Sequence, residues 1–120
     1  MTAASKMPAM PIRWPTFSHG GWATISTSRA VIEARVLVTD RLRPFHSDGK
    51  VVHTVGLPFH WGTRGIVTGD VPNDLLPIAL DPNTHIQESK ALTCDIVPGR
   101  RPRGPERAAY VTQKRGAATS

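Results

Sequence analysis

Proline and glycine limit the length of any regular element in this chain. Its 120 residues include 11 prolines and 10 glycines. Proline removes a backbone donor and fixes φ, whereas glycine favours turns, so short elements joined by loops are expected. The longest stretch free of both, residues 22–43, alternates between apolar and polar positions with the period of two that is typical of β-strands.

Short alternating runs predict a β-rich domain. The predicted strands are residues 20–28, 30–39, 51–59 and 90–97. The first two runs meet at Ser28, which predicts a hairpin, and Asp48-Gly49 predicts a turn before the third. Residues 71–80 predict a short helical turn because prolines limit its length.

Positive charge is concentrated at the C-terminal end. The formal net charge is +6; residues 99–120 hold six basic side chains and one acidic one, whereas residues 1–98 hold nine and eight. We expect an extended basic tail that is solvated or lies on a neighbouring domain. The alternative is a small basic β-domain that binds nucleic acid or an acidic partner through this tail, although the nearly neutral body and a single tail aromatic, Tyr110, argue against it.

Several common site types have no signature in the sequence. Cys94 is the only cysteine, and its place between apolar neighbours predicts a core residue rather than a nucleophile. No histidine pair has zinc-ligand spacing, and neither a phosphate loop nor a nucleophile elbow occurs. No apolar run reaches membrane-spanning length and no secretory signal is present, so the sequence leaves the location open: cytoplasmic is the default expectation, and an exported, membrane-associated parent protein is the alternative.

The loop "LPFHWGTRGI" (57–66) has the composition of a ligand-binding loop. Gly62 and Gly65 permit close approach of backbone amides, while His60 and Trp61 offer a donor and a flat apolar wall. Further polar candidates follow at Asn73, Asp74, Gln87, Glu88 and Lys90. Amides, a carboxylate and an amine suit the edge of a flat heterocycle, although a turn-rich structural loop is an equal alternative.

Three longer segments carry a resemblance to a known family. They are "GWATISTSRAVIEARVLVTDRLRPF", "VVHTVGLPFHWG" and "NDLLPIALDPNTHIQESKALTCDIVPGRRPRGP". In order and spacing they resemble the C-terminal end of the formate dehydrogenase major (alpha) subunit, in the molybdopterin oxidoreductase superfamily. The resemblance runs from about Gly20 to Val111, and "VGLPFHWG" followed by "IQESKALTCDI" is its most specific part.

The resemblance implies a fold and a cofactor. The fold is mainly β, an incomplete double-psi β-barrel (aspartate decarboxylase-like) with long loops and one or two short helical turns. The cofactor is a molybdopterin guanine dinucleotide carrying Mo or W, used to oxidise formate to CO₂. The implied cofactor-binding residues are His60, Trp61, Gly62, Asn73, Gln87, Glu88 and Lys90. Implied partners are the remaining domains of the major subunit and its electron-transfer subunits, with no nucleic acid.

The chain also departs from the family pattern. Residues 1–19 are expected to be an unstructured or non-homologous lead, residues 20–98 the cofactor-binding domain and residues 99–120 the basic tail. Cysteines for an iron–sulfur cluster are absent from this sequence, and Cys94 does not match the metal ligand. We therefore expect no catalytic or metal-ligating residue and no turnover by the isolated chain. A fragment gene, a separately encoded portion, a frameshift product and a poorly folded product are the alternatives.

Overall fold

A computed structural model describes residues 2–5, 17–58, 68–89 and 91–119. Within these ranges the regular elements are β1 (Thr2–Ser5), β2 (Trp22–Ser26), β3 (Val31–Arg35), β4 (Phe45–Ser47), β5 (Lys50–Gly56), a 3₁₀ helix (Pro72–Leu75), β6 (Ala91–Pro98) and α1 (Pro105–Thr119). The prediction of a mainly β fold is confirmed, because strands outnumber helices among the described elements.

The strands form one series in the order β3-β2-β6-β1-β5-β4. Neighbours pair antiparallel except for β1 and β6, which run parallel. The described strands do not close into a barrel, since β3 and β4 stand at the two ends of the series. What is established is therefore a mainly β architecture with long connections.

Two turns were predicted from local sequence, and both form. β2 and β3 pair with Ser26 opposite Val31, and the Thr27 N–H donates to the Ala30 carbonyl at 2.9 Å to close the hairpin. Asp48 and Gly49 connect β4 to β5 with φ of 50° and 71°. This left-handed pair suits the twist of a two-residue hairpin, which explains the Asp-Gly signal.

A strand at residues 2–5 corrects the expectation of an unstructured lead at those positions, and the alternative of a non-homologous lead stays a prediction. β1 lies between β5 and β6, with Ala3 opposite Val55 on one side and Leu92 on the other. Its sequence, "TAAS", is short and lacks alternating hydropathy, so periodicity could not reveal it. Both of its edges are paired, and its backbone bonds link two parts of the series.

The core lies where the two hairpin strands meet β6 and the 3₁₀ helix. Its buried members are Ile25, Ile32, Leu57, Leu75, Leu92 and Cys94. The prediction that Cys94 is a core residue is confirmed. Burial, assisted by the negative charge of Asp95, raises the pKa of the Cys94 thiol to about 12, so it is protonated and unreactive at neutral pH.

The basic tail is helical over most of its length, which corrects the expectation of an extended segment. α1 begins at Pro105 with Glu106 in its first turn. Proline is favoured at the first helical position, and an acidic side chain there stabilises the positive end of the helix dipole. Gly104, with φ of 57°, lies directly before the helix, and most prolines and glycines of the tail precede the helix or begin it.

Candidate functional site

The structure describes part of the predicted cofactor site. His60, Trp61, Gly62 and Lys90 lie outside the described residues. Asn73, Gln87 and Glu88 lie inside them, in two separate parts of the single connection between β5 and β6. The geometry of the candidate site therefore rests on these three residues and the segments that hold them.

Asn73 lies in the 3₁₀ helix with its side chain exposed. The same helix is anchored by its last residue, Leu75, which is completely buried in the core. The Thr27 hydroxyl, itself buried, donates to the Leu75 carbonyl at 2.9 Å. The hairpin turn between β2 and β3 thus fixes the position of the helix that carries Asn73.

Gln87 and Glu88 belong to a small hairpin over residues 79–88. The Glu88 N–H donates to the Ala79 carbonyl at 2.8 Å, and the Asp81 N–H donates to the Ile86 carbonyl at 2.9 Å. At its tip the Asp81 carboxylate accepts the N–H groups of Asn83 and Thr84. These backbone donors lower the pKa of Asp81, because they stabilise its ionised form.

The Gln87 side chain binds its own hairpin. Its Nε2 donates to the Pro77 carbonyl at 2.7 Å and to the Glu88 carbonyl at 3.0 Å, while its Oε1 accepts the Ala79 N–H at 3.2 Å. Both amide hydrogens are therefore used inside the chain. This arrangement positions Glu88 and shapes the surface around it.

Gln87→Ala is expected to lower the free energy of unfolding by about 1–2 kcal/mol, because two backbone carbonyls and one N–H lose their amide partner in a partly exposed setting. Urea denaturation followed by tryptophan fluorescence measures the change. Asn73→Ala, which truncates an exposed amide on the 3₁₀ helix, serves as the matched control. Equal stability of the two variants would contradict the role given to Gln87.

A shallow, open depression of about 360 Å³ lies beside this hairpin. Its lining residues are Ala79, Leu80, Asp81, Thr84, Ile86, Gln87 and Glu88. The lining combines the exposed aliphatic side chains of Leu80 and Ile86 with the carboxylates of Asp81 and Glu88. Among the described residues it brings Gln87 and Glu88 together, whereas Asn73 does not line it.

A second polar cluster joins the C-terminal arm (residues 99–119) to the sheet. Arg101 forms a paired salt bridge with Asp70, in which Nη2 lies 2.9 Å from Oδ1 and Nε contacts Oδ2. Both side chains are only 13% exposed. Burial raises the pKa of Asp70, but the Arg101 guanidinium and the Glu33 N–H outweigh it, so the net shift is downward.

Glu33 is the second carboxylate of this cluster. It accepts Arg100 Nη2 at 2.6 Å, Arg103 Nη2 at 2.9 Å and the Arg101 N–H at 3.1 Å, and its side chain is 8% exposed. The hydrogen bond from Arg100 is the main cause that holds the pKa of Glu33 below its usual value. These three tail arginines therefore find an acidic partner, Glu33, within the same chain.

The rest of the arm is held in the same way. Lys114 contacts Asp95 at 3.1 Å, and the side chain of Arg115 donates to the Ser28 carbonyl at 3.0 Å. Arg100 also lies 4.1 Å from the centre of the Trp22 ring, a cation–π contact. The sequence showed the excess of positive charge in the tail but not its partners, since Glu33, Asp70 and Asp95 are scattered along the body.

Two further features are absent from the part of the chain that the structure describes. The described residues contain no group of three or more histidine, cysteine, aspartate or glutamate side chains arranged to hold a metal ion. No helix in the described part of the chain has the length and apolar character needed to cross a bilayer.

Comparison with known proteins identifies the relatives of this chain. It is 39% identical over 80 residues to the nitrate-inducible formate dehydrogenase major subunit of Escherichia coli (strain K12), and 34% identical over 80 residues to the formate dehydrogenase-O major subunit of the same organism. It is 42% identical over 78 residues to formate dehydrogenase 2 subunit alpha (cytochrome c-553) of Nitratidesulfovibrio vulgaris. The chain is homologous to formate dehydrogenase major subunits.

The homology covers unequal shares of the proteins. The matched region is 65–66% of this chain but 8% of each of these formate dehydrogenase subunits. No protein-family model matches the chain. The predicted resemblance to the formate dehydrogenase major subunit is confirmed, and it concerns a small part of those proteins.

Proposed function

We propose that this chain is a portion of a formate dehydrogenase major subunit and helps to bind a molybdopterin guanine dinucleotide. The single observation that carries the proposal is the 34–42% identity over about two thirds of the chain to three such subunits. The mainly β architecture is compatible with a C-terminal double-psi β-barrel whose remaining parts come from elsewhere. In the whole enzyme the cofactor would carry Mo or W and accept electrons from formate.

The described residues fit this cofactor in part. Glu88 is exposed at the depression and Asn73 is exposed on the 3₁₀ helix, so both can meet the donors and acceptors at the edge of a pterin. Gln87 supports the hairpin through its three internal bonds. We assign Gln87 to positioning and retain Asn73, Glu88, His60, Trp61, Gly62 and Lys90 as proposed contacts.

The rest of the enzyme would supply the chemistry. The proposed partners are the other domains of the major subunit and its electron-transfer subunits, where an iron–sulfur cluster would lie. This portion would orient the cofactor and exclude water from one side of it. We propose that the isolated chain has no turnover with formate and an artificial electron acceptor.

A graft tests the proposal. Residues 20–98 replace the homologous segment of the Escherichia coli nitrate-inducible major subunit, and the product is assayed for bound pterin and formate-dependent dye reduction. We expect the graft to retain bound pterin and formate-dependent dye reduction. Within the graft, Glu88→Ala is expected to lower the pterin content at least several-fold. The control Asp40→Ala, on an exposed loop, is expected to leave the pterin content unchanged. A stable graft that binds no pterin would overturn the proposal.

A further inference from the structure

The outer edge of β3, the side that faces away from β2, presents the backbone N–H and C=O groups of alternate residues. β3 ends the strand series and pairs only with β2 among the described strands. The Ala30 carbonyl and the Val36 N–H bond to the β2 side. Because neighbouring residues alternate in direction, the backbone groups of Val31, Glu33 and Arg35 point away from β2, along the outer edge.

Side chains occupy this edge where another strand would have supplied backbone groups. The Glu33 N–H donates to Asp70 Oδ2 at 2.8 Å, and Arg107 Nη2 donates to the Val31 carbonyl at 2.8 Å. Val31 is completely buried. The bridge between Asp70 and Arg101 ties the first of these contacts to the arm, and Arg107 itself belongs to the arm. Covering an edge in this way is a common defence against pairing with another chain.

The sequence along this edge is complementary to itself in the antiparallel direction. Residues 31–37 read "VIEARVL", which is apolar, apolar, acidic, alanine, basic, apolar, apolar. About a two-fold axis at Ala34, Glu33 faces Arg35 of a second copy and Val31 faces Leu37 of that copy. Each pair occurs twice.

We propose that the outer edge of β3 is a homodimerisation surface that the arm keeps closed. Its partner is the same edge of a second copy of this chain, paired antiparallel about Ala34. The proposal does not depend on the proposed function in formate oxidation.

The charges favour this register over its neighbour. Glu33 and Arg35 both direct their backbone groups outward, so they form a hydrogen-bonded pair across the interface, and their opposite charges lie side by side. A register centred on Glu33 would instead place two like charges directly opposite, which is unfavourable. Leu37 is 72% exposed in the single chain, whereas Val31 is completely buried, so this apolar pair forms only once the arm has been released.

The arm competes for the same groups. Arg107 holds the Val31 carbonyl, and Arg100 and Arg103 hold the Glu33 carboxylate that would pair with Arg35 of the second copy. All of these contacts come from side chains rather than from a paired strand. The arm leaves β6 at Gly99, whose φ of 103° allows the chain direction to change there.

The first experiment releases the arm in the full chain. Arg101→Ala combined with Arg107→Ala removes the bridge to Asp70 and the contact to Val31. Sedimentation equilibrium is expected to show a dimer whose dissociation constant is at least about 10-fold lower than that of the wild type, since the Val31 carbonyl is then free and the arm keeps only its contacts to Glu33 at this edge. Near-ultraviolet circular dichroism checks the fold, and Arg107→Ala alone provides a milder variant with a smaller shift in the same direction.

The second experiment tests the register by exchanging charges in the released background. Glu33→Arg gives an edge with two positive side chains, and Arg35→Glu gives one with two negative side chains. Each variant alone is expected to be monomeric, and a 1:1 mixture is expected to form heterodimers, because opposite charges again face each other.

The outcomes separate edge pairing from other association. Heterodimers in the mixture, together with dimers of the released chain, support the proposal. The proposal is overturned if the variants are folded, their arm is open, and they remain monomeric over the concentration range in which the dimer is expected. Association of each charge variant alone as strongly as in the mixture would also overturn it, because contact through another surface does not distinguish the two charges.

Discussion

Leu75→Ala is expected to lower the free energy of unfolding by about 3 kcal/mol, within the range for truncating a buried leucine. Leu75 is completely buried and belongs to the core formed with Ile25 and Ile32. Its removal leaves a cavity below the 3₁₀ helix that carries Asn73. Urea denaturation followed by circular dichroism measures the loss.

The matched control for Leu75 is another leucine on the neighbouring hairpin. Leu80 is 54% exposed, so Leu80→Ala is expected to change the free energy of unfolding by less than about 0.5 kcal/mol. Similar effects of the two substitutions would show that the 3₁₀ helix is not anchored as described. A large effect of Leu75→Ala would also be accompanied by faster amide exchange at Leu76, whose N–H donates to the Asn73 carbonyl.

Local sequence signals predicted the main strands and turns. Alternation predicted β2, β3, β5 and β6 within a few residues of their observed bounds, and Asp48-Gly49 predicted the turn before β5. These elements are set by nearby residues, because side-chain alternation and left-handed turn positions act over short distances. The core position of Cys94 followed from the same alternation.

Features that depend on distant residues were not predictable. β1 has no hydrophobic pattern of its own and is recognisable only from its pairing with β5 and β6. The tail was expected to be extended, because its composition is rich in proline, arginine and glycine. The partners of Arg101 and Arg100 are Asp70 and Glu33, 31 and 67 positions away, and no local pattern shows that these side chains meet.

In the candidate site, too, local sequence signals and contacts between distant residues carry different information. The resemblance implied Gln87 as a cofactor contact, and this stays a prediction; in the structure its amide binds the backbone around Pro77, Ala79 and Glu88, which supports the proposed positioning role. A sequence motif identifies which residues belong to a site, but a side chain that positions a neighbour and one that touches a ligand look alike in the sequence. Only the hydrogen-bond partners separate these two roles.

Asp70→Asn is expected to lower the free energy of unfolding by about 2 kcal/mol at pH 7. The substitution leaves the largely covered Arg101 guanidinium without a charged partner, and the cost lies below that of a fully buried pair because some exposure remains. Asp74→Asn, on the exposed side of the 3₁₀ helix, is the control and is expected to have little effect. Urea denaturation of the three proteins gives the differences.

The stability difference caused by Asp70→Asn is expected to depend on pH with a defined sign. The pKa of Asp70 is lower in the folded chain than its ordinary value of 3.8, so the folded state binds fewer protons than the unfolded state near that pH. The stabilisation is complete above pH 3.8 and is lost as the pH falls through the folded-state pKa. Glu33 is unchanged in both proteins, so its own titration largely cancels from the comparison. The difference between wild type and variant should therefore vanish in acid, and a difference that stayed constant down to pH 2 would show that the Asp70 carboxylate does not stabilise the docked arm through its charge.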